Sequence, residues 1–206
     1  MTAPTGATPA ERVRAAVASL AALTGGRATS GVGHDDADDV VGTVATDDAV
    51  GFDPRPVLAA LARAGARAVV IGQVAGIVHG STELTGDLDL LWSGDADEAP
   101  AMAAAFRSLG ASLTDDDGRP LPLDASSFLR PKAQFRTPTA SGDCCTPALP
   151  WGGIDVTAML ARAETVNVAG APVHVVTRAD LVAMRRAVGR PKDLRRAAEL
   201  ERLASA

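Results

Sequence analysis

The stretch IGQVAGIVHGSTELTGDLDLLW, residues 71–92, constrains this chain more than any other part of it. A β-rich run, ARAVVIG, ends on Gly72, a short helix of small residues follows, and GDLDLLW returns as a second strand. In a strand, positions i and i+2 share a face, so Asp87 and Asp89 project together while Leu88, Leu90 and Leu91 feed a core. Two parallel carboxylates repel one another unless a cation lies between them. The cation suited to such a pair is Mg²⁺ (or Mn²⁺), a hard ion that takes carboxylate oxygens and keeps its other positions for water and phosphates. Asp-x-Asp recurs at Asp36/Asp38, Asp95/Asp97 and Asp115/Asp117, but only the pair at 87 and 89 stands in an apolar strand behind a glycine turn.

A third carboxylate on a neighbouring strand would allow two ions roughly 3.5–4 Å apart, the arrangement used for in-line phosphoryl displacement. GGIDVTAML reads as a strand, and Asp155 is the lone acid in it, so Asp155 is the expected third group, as metal ligand or as general base. Gly72, lacking a Cβ, lets the backbone pass close to a triphosphate, with the first N–H groups of the following helix facing the anion. Gln73 is placed at that turn to donate to a phosphate oxygen. Lys192 and Arg190 can reach phosphate, although Arg-Pro-Lys-Asp is equally a helix start in which Asp193 satisfies first-turn N–H groups.

These residues resemble the signature of the nucleotidyltransferase-fold superfamily, in which a Gly-Gly or Gly-Ser turn precedes an acid-apolar-acid strand and, later, a third acid. Gly72, Ala75, His79-Gly80, Thr85, Asp87 and Asp89 follow the spacing of the nucleotidyltransferase toxins of bacterial abortive-infection and toxin–antitoxin systems. The tail DLVAMRRAVGRPKDLRRAAEL resembles the helix, Gly-Arg-Pro-Lys-Asp turn and helix that close many such proteins. The resemblance runs from Val57 to Leu200 and is weak between Leu113 and Gly152. It implies an α/β (α+β) fold, a nucleotidyltransferase-type mixed β-sheet flanked by helices with a C-terminal helical pair. The implied activity transfers a nucleoside monophosphate from a nucleoside triphosphate (NTP) to a hydroxyl of tRNA or other RNA, protein or a small molecule. Asp87, Asp89 and Asp155 would be the catalytic and metal-holding residues, Gly72, Gln73 and Lys192 the nucleotide-binding ones, and a cognate antitoxin a partner. Gln73 replaces the small residue usual in the turn, and Glu83 stands where many relatives carry arginine. Those departures favour the alternative, a catalytically inactive nucleotide-binding or protein-interaction domain of the same fold.

The remaining sequence sets the surroundings. A 206-residue chain, 47% hydrophobic, holds one core rather than two. With net charge −5 and scattered basic residues it lacks the broad basic face of a duplex-binding protein. The two cysteines, Cys144 and Cys145, are adjacent, which suits a reduced, cytoplasmic setting. The N-terminal residues carry no signal-peptide pattern, and no apolar run is long enough to span a bilayer, so no membrane partner is expected. The expected organisation is an N-terminal helix (Thr8 to Leu23) plus a flexible acidic linker over 1–52, then the nucleotidyltransferase-like domain over 53–206. Within that domain the expected elements include strands over SSFLRPKAQFRT and GGIDVTAML with a Pro/Gly/Ser loop over 138–153 between them, a hairpin over ETVNVAGAPVHVVT, and two closing helices.

Overall fold

A computed structural model of the protein describes residues 6–33 and 42–205, so most of the acidic stretch GHDDADD lies outside the described residues. Among the described residues the chain is a mixed α/β structure with eight α-helices and one eight-stranded sheet. The helices are α1 (Pro9–Thr24), α2 (Arg55–Ala64), α3 (Gly72–Val78), α4 (Ala99–Arg107), α5 (Ala125–Phe128), α6 (Val156–Arg162), α7 (Arg178–Val188) and α8 (Pro191–Ala204). The strands are β1 (Val69–Val70), β2 (Leu88–Leu91), β3 (Ser112–Thr114), β4 (Pro120–Leu121), β5 (Lys132–Arg136), β6 (Ser141–Cys145), β7 (Glu164–Val168) and β8 (Ala171–Val175). Their order across the sheet is β4-β3-β5-β6-β2-β1-β8-β7. β2 runs parallel to β6 and β1 parallel to β8, and the other neighbours are antiparallel.

Register divides the outer half of the sheet into two unlike faces. Leu88, Leu90, Cys144, Ala133, Phe135 and Leu113 lie on one side and are buried. On that side Phe106 of α4 meets Phe135 and Phe128 of α5, with ring centroids 4.8 Å and 5.3 Å apart. The opposite side at this end carries Asp89, Asp143, Gln134 and Thr114. Gly142 makes the close β2/β6 pairing possible, since a Cβ there would stand 2.0 Å from the Leu88 carbonyl oxygen.

Several elements follow from local chemistry. Thr8 and Glu11 form a reciprocal capping box at the start of α1. Gly189 adopts a left-handed conformation that ends α7, and Pro191 opens α8. Thr177 caps α7 through the Asp180 N–H.

Three expectations are corrected. GGIDVTAML is not a strand: Asp155 is the N-cap of α6, and its carboxylate accepts from the Ala158 N–H at 2.9 Å. The acid's ability to satisfy a helix's first N–H groups outweighed the β preference of Ile154, Val156 and Thr157. The expected loop over 138–153 contains β6, a central strand. The segment expected to be a flexible linker packs onto the domain where it is described. Residues 42–45 and 47–49 form 3₁₀ turns, Thr24, Thr46, Ala49 and Phe52 are buried, and Arg27 donates to the Val44 and Thr46 carbonyls. Helix α1 buries Val13 and Leu20 in the same core and sends Arg12 to the Val78 carbonyl at 2.8 Å, so residue 52 marks no domain boundary.

Leu20→Ala is therefore expected to lower the stability of the whole protein by about 2–5 kcal/mol in urea titration, within one cooperative transition. A separate early transition would show α1 to be an independent appendage. His79, at the end of α3, donates from Nε2 to the Val176 carbonyl at 2.7 Å, and burial holds its pKa below the ordinary value. The unfolded chain therefore takes up a proton before the folded one does, and stability present at neutral pH is lost as pH falls below about 6.5. Urea midpoints of His79→Gln should fall less between about pH 7 and 5.5 than those of the parent chain.

Candidate functional site

Asp87 and Asp89 stand at the head of β2, with Asp87 one residue before its first pairing position. Asp87 is buried and accepts a hydrogen bond from the Thr85 hydroxyl, and Asp89 is half-buried. Beside them the chain leaves β1, and Ile71 donates its N–H to the Asp89 carbonyl at 3.0 Å. Gly72 then turns with φ +62° into α3. A Cβ at position 72 would lie 1.8 Å from Asp89 Oδ2, so only glycine lets the turn press on that carboxylate.

The strand on the far side of β2 supplies an acid that sequence reasoning missed. Asp143 of β6 is the direct register partner of Asp89 in the parallel ladder, so the two side chains leave the same face of the sheet from neighbouring strands. Asp155, expected in this position, is instead exposed at the start of α6. The signal for Asp143 was present in SGDCC, where a single acid precedes two cysteines that prove buried. Flanking Ser, Gly and Pro residues concealed the strand, because they have low β preference when read alone.

Each carboxylate has its own protein neighbour. Lys132 of β5 sits 3.5 Å from Asp143 and 2.9 Å from Asp116 on the β3–β4 turn. Burial alone would depress the Lys132 ammonium, but Asp143 and Asp116 outweigh it and raise its pKa above the ordinary value. Burial, reinforced by Asp143 and Asp89, pushes the Cys145 thiol well up, and burial does the same to Cys144, so neither is a nucleophile at neutral pH. With the carboxylates so directed, no group of three or more His, Cys, Asp or Glu side chains stands at metal-holding spacing among the described residues.

The expected phosphate-binding residues divide. Gln73 is buried and its amide is fully engaged in the fold. Nε2 donates to the Ser81 hydroxyl at 3.0 Å and to the Glu83 carbonyl at 2.7 Å, while Oε1 accepts from Arg185 at 2.7 Å. It thus faces away from the role expected of it and ties α3 to the 81–83 segment and to α7. Arg185, also buried, donates to the carbonyls of Gly72 at 3.3 Å and Arg196 at 3.1 Å. Burial first, and the neighbouring Arg196 guanidinium next, push its pKa down to about 10, which leaves it charged at neutral pH. Gly76 makes room for it, since a Cβ there would stand 2.7 Å from the guanidinium.

Helix α8 lines the 81–83 segment in antiparallel sense. Glu199 accepts from Ser81 and Thr82, and Arg196 donates to the Glu83 carboxylate at 2.6 and 2.8 Å. Glu83, in the place of an expected arginine, is therefore the partner of an arginine supplied by α8. Lys192, Arg196 and Glu199 share one helical face. Lys192 is buried on that face. No protein-family model matches the chain, and no curated protein matches it.

Arg185→Met would leave Gln73 Oε1 and the Gly72 carbonyl without their donor in a buried setting. It should cost about 1–3 kcal/mol in chemical denaturation, with partial recovery in Arg185→Lys. An unchanged midpoint would mean that the turn behind Asp89 is held by other contacts.

Proposed function

We propose that the protein is a metal-dependent nucleotidyltransferase of the nucleotidyltransferase-type fold, moving a nucleoside monophosphate from an NTP to a hydroxyl acceptor. The observation that carries this reading is the pairing of Asp89 with Asp143 on adjacent strands, with Asp87 two residues away and the Gly72 turn pressed against Asp89. The donor set consists of carboxylate oxygens, which suits a hard divalent cation. Since no three acids stand at metal-holding spacing among the described residues, Asp87 and Asp89 are the residues that would hold Mg²⁺ together with NTP phosphate oxygens, with Asp143 beside them, and the ion would supply charge stabilisation to the reacting phosphate and to the leaving pyrophosphate.

The chain's own groups account for the remaining requirements. Lys192, on the helix face whose Arg196 and Glu199 hold the 81–83 segment, offers an ammonium to the NTP phosphates. Arg185 fixes the Gly72 turn from behind, so that the backbone beside Asp89 does not move as charge develops in front of it. Lys132 places a positive charge 3.5 Å from Asp143 and so offsets the repulsion between Asp143 and Asp89. The alternative of a non-catalytic domain draws support from the engagement of Gln73 and Glu83 in structural bonds rather than toward a ligand.

Incubation with Mg²⁺ and each α-labelled NTP, with RNA, protein and small hydroxyl compounds as acceptors, tests the proposal. Asp89→Asn and Asp143→Asn are each expected to reduce label transfer by more than the roughly 10–100-fold cost typical of a supporting residue. Asp155→Ala should leave transfer intact while costing about 1 kcal/mol of stability through its lost helix cap. Dependence on Asp155 in place of Asp143, or no transfer with any NTP, would refute the assignment.

A further inference from the structure

Next to Asp143, on the polar face of β3, β5 and β6, the sheet holds a cleft of about 110 Å³. Its lining includes Thr114, Gln134, Arg136, Ser141 and Asp143 from the strands, and Asp48 from the 3₁₀ turn that stands over them. Two side chains in this wall, Ser141 and Gln134, have hydrogen-bonding capacity to offer a ligand. Ser141 is 7% exposed, and its hydroxyl oxygen, buried, has no hydrogen-bond partner, an unusual state for a buried hydroxyl. Gln134 accepts from the Thr114 hydroxyl at 3.3 Å through Oε1, which leaves its NH₂ to donate. The charges beside the cleft are already balanced inside the protein: Arg136 pairs with Asp48, whose side chain is 4% exposed, and Lys132 with Asp143 and Asp116. An anionic ligand would have to break one of these pairs, whereas a neutral one need only exchange hydrogen bonds with hydroxyl, amide and carboxylate groups. The cleft is several water molecules in size, enough for one edge of a sugar ring.

We propose that this cleft is the acceptor subsite and that the acceptor is a small neutral polyol, such as a sugar, rather than RNA. The assignment rests on the nucleotidyltransferase reading of the adjoining carboxylates. A polyol edge held by Gln134, and by Ser141 after rotation about its χ1, presents a hydroxyl to Asp143, the wall shared with the candidate metal residues. In the reaction the hydroxyl oxygen forms a bond to the α-phosphorus of the NTP. The bond from that phosphorus to the bridging oxygen breaks, pyrophosphate departs with the electron pair, and the hydroxyl proton passes to the Asp143 carboxylate and then to water. The Asp115 to Asp117 turn, whose Asp116 reaches Lys132 beside Asp143, adds negative charge that disfavours a phosphate backbone on this side of the sheet.

The test is a ¹⁵N-resolved NMR titration of the full chain with glucose, ribose and myo-inositol as separate probes. It is repeated in Gln134→Leu and followed by label transfer from α-labelled NTPs in Mg²⁺. At least one probe is expected to shift the amides of Thr114, Gln134 and Ser141 with an affinity on the order of millimolar, weakened at least about tenfold in Gln134→Leu, and to accept label. Ser141→Ala, a substitution that removes one atom from a strand, serves as a second variant should Gln134→Leu fail to fold, and it is expected to weaken the same shifts. The proposal is overturned if no probe moves these amides, or if the shifts persist unchanged in the variants. Label appearing on RNA or protein while no polyol accepts it overturns the polyol assignment alone. Polyol binding here with no transfer from any NTP overturns the acceptor role together with the nucleotidyltransferase reading.

Discussion

Two carboxylates facing the same way from directly paired positions on neighbouring strands set the terms for the rest of this structure. Asp89 and Asp143 sit in the middle of the sheet, where like charges at parallel-ladder spacing are unfavourable unless something compensates them. The protein meets this with Lys132 from the next strand and with a backbone turn at Gly72 that comes nearer to Asp89 than any side chain would permit. A core built only for stability would have apolar groups at both positions. The fold instead surrounds the pair with small residues, Gly72, Gly142 and Ser141, which let strands and turn approach closely at some cost in backbone entropy.

The C-terminal helices are tied into the same arrangement. Arg185 reaches from α7 to the Gly72 carbonyl and to Gln73, while Arg196 and Glu199 of α8 clasp the segment between α3 and β2. The turn, the 81–83 segment and the helical pair thus form one partly buried polar network whose members satisfy one another, and such networks specify a single geometry when complete. Gln73 and Glu83, the two positions that departed from the resembled pattern, are both inside this network. Their departures are explained by what they bind within the protein: Gln73 exchanges a small side chain for an amide bridging three segments, and Glu83 receives an arginine supplied by another helix.

Legibility in the sequence varied with how local the controlling forces were. Helix α1 behind its Thr8-Pro9 start, the hairpin of β7 and β8, and the Gly189 to Pro191 break between α7 and α8 could all be read directly, because each depends on neighbours a few residues apart. The strand-turn-helix-strand order from 69 to 91 was equally legible, being a change of hydrophobic period around one glycine. Strand β6 was not. SGDCC has little β preference of its own and becomes a strand because β2 and β5 offer it two hydrogen-bonding edges and its cysteines a core. Asp155 illustrates the converse: Ile154, Val156 and Thr157 suggested a strand, but the local cap that an aspartate supplies to a helix decided the outcome.

The sequence by itself determined the α/β class and the Gly72 turn ahead of the strand that carries Asp89, because those follow from hydrophobic alternation along a strand and from the steric freedom of glycine. Only the tertiary structure decided which acid stands opposite Asp89, that Gln73 is turned inward, and that the segment around Asp48 overhangs the polar face of the sheet. The physical reason is that these outcomes depend on pairing between segments far apart in the chain. Contacts between Leu88 and Gly142, Gly72 and Arg185, or Asp48 and Arg136 leave no periodic trace in either partner's own neighbourhood.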